Sequence, residues 1–169
     1  MLPKLLERAA PSVHGGSITG LYTVLAEGDD LSDPVADAVM ALLDGHIVLS
    51  RDLASRGHFP AVDVLKSLSR LENEIMSPEL VRMIRTVRGW MGRIEDARDL
   101  IAVGAYQPGA DAELDLAISQ DAKIKGFLRQ ALSDKSTRET TEAHLRGLVE
   151  GAGRNRENRN NVIPMRGVA

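Results

Sequence analysis

The side chains of this sequence that could do chemistry do not form a complete active site by their spacing alone. A phosphate loop of the form Gly-x-x-x-x-Gly-Lys-Ser/Thr is absent, because no glycine stands at the required position before Lys66-Ser67. The four histidines lie far apart in the sequence, and no two have the spacing of metal ligands on one helix. We therefore expect each histidine to have a structural role. If the chain carries chemistry, we expect it within or just after residues 17–70.

Residues 17–70 predict the α/β arrangement that would position such chemistry. Ser17–Leu25 is bounded by glycine and rich in β-branched and aromatic residues, which indicates a strand. Asp33 followed by Pro34 is typical of a helix start, and His46–Leu49 predicts a second short strand. Strand, helix and strand in this order form a βαβ unit, so we expect the two strands to be parallel.

The rest of the sequence predicts a third short apolar run at Val62–Leu65 and then only helices. From Ser77 onward, apolar residues recur at a spacing close to that of a helix. The predicted helices cover residues 78–103, 112–119, 121–132 and 137–149. We therefore predict an α/β region over residues 1–76, a helical domain over 77–150, and a disordered, polar tail over 151–169.

Composition excludes several classes of protein. A length of 169 residues suggests one domain or a piece of a larger one, and a net charge of −3 argues against a dedicated nucleic-acid binder. The sequence has no cysteine, which excludes disulfides and thiolate metal sites. It has neither a signal-peptide pattern nor an apolar run of about 20 residues, the length of a membrane span. We expect a soluble, cytoplasmic chain.

The order of these pieces resembles the flagellar and type III secretion export ATPases, which are relatives of the catalytic subunit of rotary ATP synthases. The segments that carry the resemblance are Gly16–Ala38, Leu43–Arg51, His58–Leu65 and Ser67-Leu-Ser-Arg70, with weaker similarity over Glu95–Ile101 and Gly104–Asp111. The resemblance slightly favours the flagellar over the virulence-type secretion branch, and the choice between them stays open.

The resemblance covers only the C-terminal part of that family. It implies the end of a RecA-like, parallel-sheet nucleotide-binding core, followed by a C-terminal helical domain. The N-terminal β-barrel, the phosphate loop, the catalytic glutamate and the magnesium-side aspartate of the family would precede Met1. The intact enzyme would use ATP and magnesium in a hexameric ring to drive protein secretion. We expect this chain alone to bind neither and to hydrolyse no ATP, since the groups that stabilise phosphoryl transfer are missing.

Two residues match positions that contact nucleotide in the family. Arg70 matches the arginine that reaches across a subunit boundary to the γ-phosphate held by the neighbouring subunit. The alternative is that Arg70 pairs with a surface carboxylate such as Glu72. Phe59 matches the aromatic residue that packs on the adenine base, where the family more often has tyrosine. The alternative for Phe59 is an aromatic of the core or of a hinge.

The resemblance also implies partners. Asp29, Asp30 and Asp33 match an acidic loop that faces the central pore of the ring and could contact a basic, stalk-like protein; otherwise the loop is only solvated. Expected partners are other export-ATPase subunits, stalk-like and regulatory export proteins, and complexes of export chaperones with their substrates. Contact with the membrane export gate would come only through partners, and no nucleic acid is expected. The alternative function is a non-catalytic module that binds export chaperones or full-length subunits.

Overall fold

The computed structural model describes residues 4, 6–9, 11, 13–26 and 33–160. Helices and strands within 33–160 follow one another from a short α/β region into a helical region. In chain order they are α1 Pro34–Leu42, β1 Gly45–Leu49, α2 Arg51–Ser55, β2 Val62–Ser69, α3 Glu72–Ile75, α4 Pro78–Asp96, α5 Arg98–Ala102, α6 Ala112–Leu128 and α7 Arg138–Asn160.

The described sheet is the antiparallel pair of β1 and β2, and the prediction of a parallel βαβ unit is wrong because the first of its two strands does not form. β1 runs against β2, with Gly45 opposite Ser69 and Leu49 opposite Val62, and the register shifts between His46 and Val48. Of the predicted first strand, Ser17–Leu25, only Ser17 pairs, in an isolated antiparallel bridge with Pro11, and residues 18–25 form no strand. A strand is stabilised by pairing with a neighbour, and no described segment pairs with residues 18–26. The strand predicted at His46–Leu49 is confirmed as β1.

Helix α1 forms for the local reasons that the sequence indicates. The Asp33 Oδ1 accepts hydrogen bonds from the amides of Val35 and Ala36, at 2.9 and 3.1 Å, and Pro34 occupies the first turn. These bonds satisfy main-chain donors that have no partner inside a helix. Ala36 and Val39 form the buried face of the helix.

The helices of the helical region begin or end at other residues than predicted. Two helices were expected at 112–119 and 121–132, but residues 112–128 form the single helix α6, and the fully buried Gln120 lies inside it. The helix predicted to reach residue 103 ends at Asp96, and the short α5 follows. Disorder over 151–169 is wrong for residues 151–160, which continue α7. Extending a helix that packing has already nucleated costs little. Residues 161–169 lie outside the described residues.

The main core lies between α4, α6 and α7. Its buried members are apolar residues of all three helices: Leu80, Met83 and Val87 of α4, Ile124 of α6, and Leu145 and Leu148 of α7. Leu132, predicted to face inward, is fully exposed, because α6 ends at Leu128. No described helix is both long and apolar enough to cross a membrane.

Candidate functional site

Arg70 lies on the surface directly after β2. Its main-chain amide donates a hydrogen bond of 2.7 Å to the carbonyl of Asp44. Its guanidinium donates to the carbonyls of Ala41 and Met40, at 3.2 and 3.3 Å, in the last turn of α1. These carbonyls have no partner within the helix and carry the negative end of its dipole, so a cation is favoured there.

The ion pair between Arg70 and Glu72, the alternative considered from the sequence, is not formed. Glu72 lies 3.8 Å from Arg85 instead, while Arg70 uses its guanidinium for the two main-chain carbonyls of α1. A guanidinium has five N–H donors in a planar fork. The exposed side chain of Arg70 therefore keeps donors available for an anion presented from outside this part of the chain.

Phe59 lies in the loop between α2 and β2, with 55% of its surface exposed. Its carbonyl accepts a hydrogen bond of 2.8 Å from the amide of Gln130, just beyond the end of α6. The loop leaves α2 through Gly57, whose φ of 68° is a conformation that favours glycine. More than half of Phe59 is therefore open to solvent, and the residue is not part of the core of the described region.

The structure does not bring Phe59 and Arg70 together in one site. Phe59 precedes β2 and Arg70 follows it, and the two ends of β2 pair with the two ends of β1. Four strand steps of about 3.3 Å place these ends roughly 13 Å apart. The described geometry therefore offers two separate contact points, one at each end of the sheet.

The predicted acidic loop is described only at its last member. Asp29 and Asp30 lie outside the described residues. The half-buried Asp33 uses one carboxylate oxygen to cap α1. Asp33 therefore has a structural role as the cap of α1, whether or not it also contacts a partner.

His58, next to Phe59, is a buried titratable group of this loop. It is 7% exposed, and its amide donates to the carbonyl of Leu53 at 2.9 Å. Burial lowers the pKa of the His58 imidazole, and the positive charges of Arg129 and Lys125 lower this pKa further. The neutral imidazole is therefore the form that the fold favours.

A second arginine, which sequence reasoning missed, joins the two regions. The half-buried Arg88 of α4 donates from Nη1 to the carbonyl of Ser67 and from Nη2 to the carbonyl of Leu65, both at 3.2 Å. The sequence feature that could have identified Arg88 is its position one helical turn after Ile84, next to the apolar face of α4. An arginine beside such a face must satisfy its donors internally.

A cavity of about 580 Å³ lies between β2 and the helical region. Its walls are mostly apolar side chains of α4 and α6, and Val64 of β2 lines it as well. Arg138 and Glu142 of α7 also line it and form an ion pair at 2.7 Å. The volume falls within the range of ligand-binding pockets, roughly 300–1,000 Å³.

The described residues do not provide a complete site for magnesium and ATP. No group of three or more histidine or carboxylate side chains in the described ranges could hold a metal ion. The sequence has no phosphate loop. At the two positions that match nucleotide contacts of the family, the described part offers the exposed ring of Phe59 and the exposed guanidinium of Arg70.

Two family models match this chain one after the other. The nucleotide-binding domain of the ATP synthase alpha/beta family matches residues 1–69, and the C-terminal domain of the type III secretion ATPase EscN matches residues 76–147. The chain belongs to the family of flagellar and type III secretion ATPases. The prediction of a nucleotide-binding part followed by a C-terminal helical domain is confirmed.

Similar proteins come from both branches of this family. The flagellum-specific ATP synthase of Treponema pallidum is 48% identical over 148 residues, covering 88% of this chain and 33% of that protein. The type 3 secretion system ATPase of Pseudomonas savastanoi pv. phaseolicola is 46% identical over 147 residues, covering 86% and 32%. These identities do not separate the two branches. The chain spans about a third of the length of the curated relatives that it matches.

Solved structures of EscN from enteropathogenic Escherichia coli share the fold. The assembled ATPase EscN superposes with a TM-score of 0.82 at 42% identity, covering 88% of this chain and 36% of EscN. EscN in complex with its central stalk EscO gives a TM-score of 0.77 at 40% identity, covering 88% and 35%.

Proposed function

We propose that this chain forms the C-terminal part of a subunit of a ring-shaped export ATPase that couples ATP hydrolysis to flagellar or type III protein secretion. Membership of the family supports this function, and the observation that carries it is the exposed Arg70 at the end of β2. The guanidinium lies at the surface, where a neighbouring subunit can meet it.

In this function Arg70 stabilises the charge on the phosphoryl group that the neighbouring subunit holds. An arginine supplied in this way accelerates phosphoryl transfer by about 10³–10⁵, which corresponds to roughly 4–7 kcal/mol. Phe59, at the other end of the sheet, offers an exposed ring for stacking on an adenine base. In the proposed ring, Phe59 and Arg70 contact two different nucleotide pockets, which fits the distance between them.

ATP and magnesium are the substrate and the metal ion of the proposed intact enzyme. These 169 residues contain no phosphate loop, and the described part has no set of metal ligands, so we expect no ATP hydrolysis by this chain alone. The partners that we propose are further subunits of the same ring and a basic, stalk-like protein that contacts Asp29, Asp30 and Asp33. EscN, described both as an assembled ATPase and in complex with a central stalk, supports this proposal by similarity.

The test uses a chimera in which the upstream two thirds of the Treponema pallidum relative are joined to this chain. We expect Arg70→Ala in the chimera to lower kcat by about 10³–10⁵. Arg82→Ala, which removes an exposed arginine of α4, is the matched control and should leave kcat unchanged. Mixing two kinds of inactive subunit shows whether Arg70 acts on the neighbouring subunit or within its own subunit. Arg70→Ala subunits mixed with subunits that lack the phosphate-loop lysine should regain activity, because the second kind still supplies Arg70.

Two results would contradict this proposal. One is full activity of the Arg70→Ala chimera. The other is ATP hydrolysis by the chain alone that disappears with Arg70→Ala, since this would place a complete site inside these residues.

A second candidate is a non-catalytic module that binds export chaperones or full-length subunits. The cavity of about 580 Å³ between β2 and the helical region, whose wall comes mostly from the helical region, favours a binding role for that region. Binding of a cognate chaperone–substrate complex to the chain without nucleotide, weakened by a change at Phe127 in the cavity wall, would support this role. Arg129→Ala, which changes an exposed residue beyond α6, is its control.

A further inference from the structure

We propose that Arg88 positions Arg70, and so makes the helical region part of the proposed trans-acting site. This inference rests on the proposed function, in which Arg70 acts on the neighbouring subunit. Arg88 lies on α4, in the helical region, while the atoms that it binds belong to β2, which leads directly into Arg70.

The first step of the argument is the irregular register of the sheet. Val48 pairs with Asp63 and His46 pairs with Leu68, so residues 64–67 of β2 form a bulge opposite a single residue of β1. Bulges bend a strand and change the direction of the side chains that follow. The conformation of this bulge therefore determines the position of Arg70.

The second step is the way in which the bulge is held. Strand pairing is interrupted here, and side chains supply the missing hydrogen bonds. His46 donates to the carbonyl of Lys66 at 3.0 Å, and the Ser67 hydroxyl accepts from the amide of Val48 at 3.0 Å. Arg88 donates to the carbonyls of Leu65 and Ser67. Arg88 thus binds two of the carbonyls in this segment from the helical region.

The third step is the specificity of Arg88 for this task. No carboxylate in the described part of the chain lies within ion-pair distance of Arg88, and its planar fork bridges two carbonyls that are two residues apart. Arg85, one turn earlier on the same helix, behaves differently. It is exposed and bonds to Asn73 at 2.8 Å, and it also pairs with Glu72.

The fourth step is the position of Arg70 between two supports. On one side its amide and guanidinium bind Asp44 and the end of α1, as described above. On the other side, the bulge three residues earlier is bound by Arg88. If the second support is removed, Arg70 keeps its charge but loses a fixed approach to the neighbouring phosphate. A displacement of about 1 Å can cost about 10²-fold in rate.

The test measures ATP hydrolysis by the same chimera carrying Arg88→Ala, Arg88→Lys or the control Arg85→Ala. We expect Arg88→Ala to lower kcat by about 10- to 100-fold with little change in KM for ATP. Arg88→Lys, which keeps the charge but cannot bridge two carbonyls, should recover only part of the loss. Arg85→Ala should match the unaltered chimera.

Two further readouts separate positioning from a general loss of stability. The defect of Arg88→Ala should follow the subunit that donates Arg70: mixing with subunits that lack the phosphate-loop lysine should restore activity, as for Arg70→Ala. In the Arg70→Ala background, Arg88→Ala should cause almost no further loss, because both changes remove the same interaction. A double variant whose loss of kcat equals the product of the two single losses would overturn the inference. An Arg88→Ala chimera that is as active as the control would overturn it as well.

Hydrogen exchange in the unaltered 169-residue chain distinguishes failure of this inference from failure of the proposed function. Arg88→Ala should raise the exchange rates of the Val48 and Arg70 amides by about tenfold or more, while amides of the α4 core keep their rates. If exchange responds but Arg70→Ala leaves kcat unchanged, the proposed function fails and the structural coupling remains. If exchange does not respond, the inference about Arg88 fails.

Discussion

The α/β region and the helical region of this chain differ in whether they enclose their own core. Within residues 33–76 only Ala36, Val39 and His58 are buried, whereas α4, α6 and α7 bury apolar residues along their length. On β1, Ile47 and Leu49 are 73% and 71% exposed. The helical region therefore has a core of its own, and the α/β region presents an apolar face without a cover among the described residues.

The exposed face has a physical consequence. Ile47 and Leu49 are two residues apart, so both side chains point to the same face of β1. A sheet of two strands has marginal stability in water. Hydrogen bonds from the helical region reach β2 at Arg88 and the loop before β2 at Gln130. We therefore expect the two regions to respond very differently to equivalent substitutions.

The largest expected difference between the two regions is in the free energy of unfolding that is lost when an isoleucine is replaced by alanine. Ile124 is 2% exposed in the core of the helical region. Ile124→Ala should lower the free energy of unfolding by about 2–5 kcal/mol, because it removes buried contacts and leaves a cavity. Ile47→Ala, the matched change on the exposed face, should alter it by less than about 0.5 kcal/mol. Urea unfolding followed by far-UV circular dichroism measures both, and equal losses would refute the contrast.

A second prediction concerns a defect inside the helical core. Gln120 is fully buried in α6, and its Oε1 has no hydrogen-bond partner in the described part of the chain. Gln120→Met removes this unsatisfied oxygen while keeping the volume, but it also removes the hydrogen bond of 3.1 Å that Nε2 donates to the hydroxyl of Ser119. Because the penalty of about 1–3 kcal/mol for the buried oxygen exceeds the roughly 0.5–1.5 kcal/mol of one hydrogen bond, we expect a net stabilisation of about 1 kcal/mol. Gln107→Met, at an exposed position, is the control for the added apolar side chain. A fall in the unfolding midpoint of the Gln120 variant would show that this oxygen has a partner in solution.

A third prediction compares two aspartates that cap helices, one in each region. Asp111 accepts from the amides of Glu113 and Leu114 at 2.9 and 3.1 Å, as Asp33 does at α1. Asp111→Ala should cost about 0.5–2 kcal/mol in thermal unfolding, and Asp111→Asn should retain most of the cap. Asp33→Ala should leave the unfolding midpoint of the helical region unchanged. Equal shifts from both alanine variants would indicate that the two regions unfold as one unit.

The smallest expected effect is the pH dependence that His58 contributes at the contact between the regions. Burial, with Arg129 and Lys125, lowers the pKa of His58 in the folded chain below the value of about 6.5 expected when unfolded. The unfolded chain then binds more protons between these two values, so stability falls as the pH drops below about 6.5. His58→Gln should flatten this part of the profile when the loss is expressed relative to about pH 8, where the imidazole is neutral. An unchanged slope would contradict the burial of His58.

The sequence could predict the elements that depend on local interactions. Asp33 and Pro34 begin α1 where expected, and Ser77 begins α4 by accepting a hydrogen bond from the amide of Leu80 on its hydroxyl oxygen. The family could be predicted as well, because its motifs are contiguous in sequence. Arg70 and Phe59 were located by these motifs, and their proposed roles stay predictions.

Long-range geometry could not be predicted in this way. The antiparallel direction of β1 and β2 and the bulge at residues 64–67 depend on contacts between segments that are distant in sequence. The same holds for Arg88, whose partners lie more than 20 residues away, at Leu65 and Ser67. A helical pattern shows which side chains face inward, but it does not show which carbonyls they reach.

Hydrogen exchange of the isolated chain tests the contrast between the regions most directly. We predict that core amides of α4 and α6, such as those of Met83 and Ile124, exchange only through global unfolding. The amides of Val48 and Leu49 should exchange orders of magnitude faster. In the chimera they should become protected, because we expect the upstream part to cover β1. Equal protection of β1 and of the helical core in the isolated chain would contradict this account.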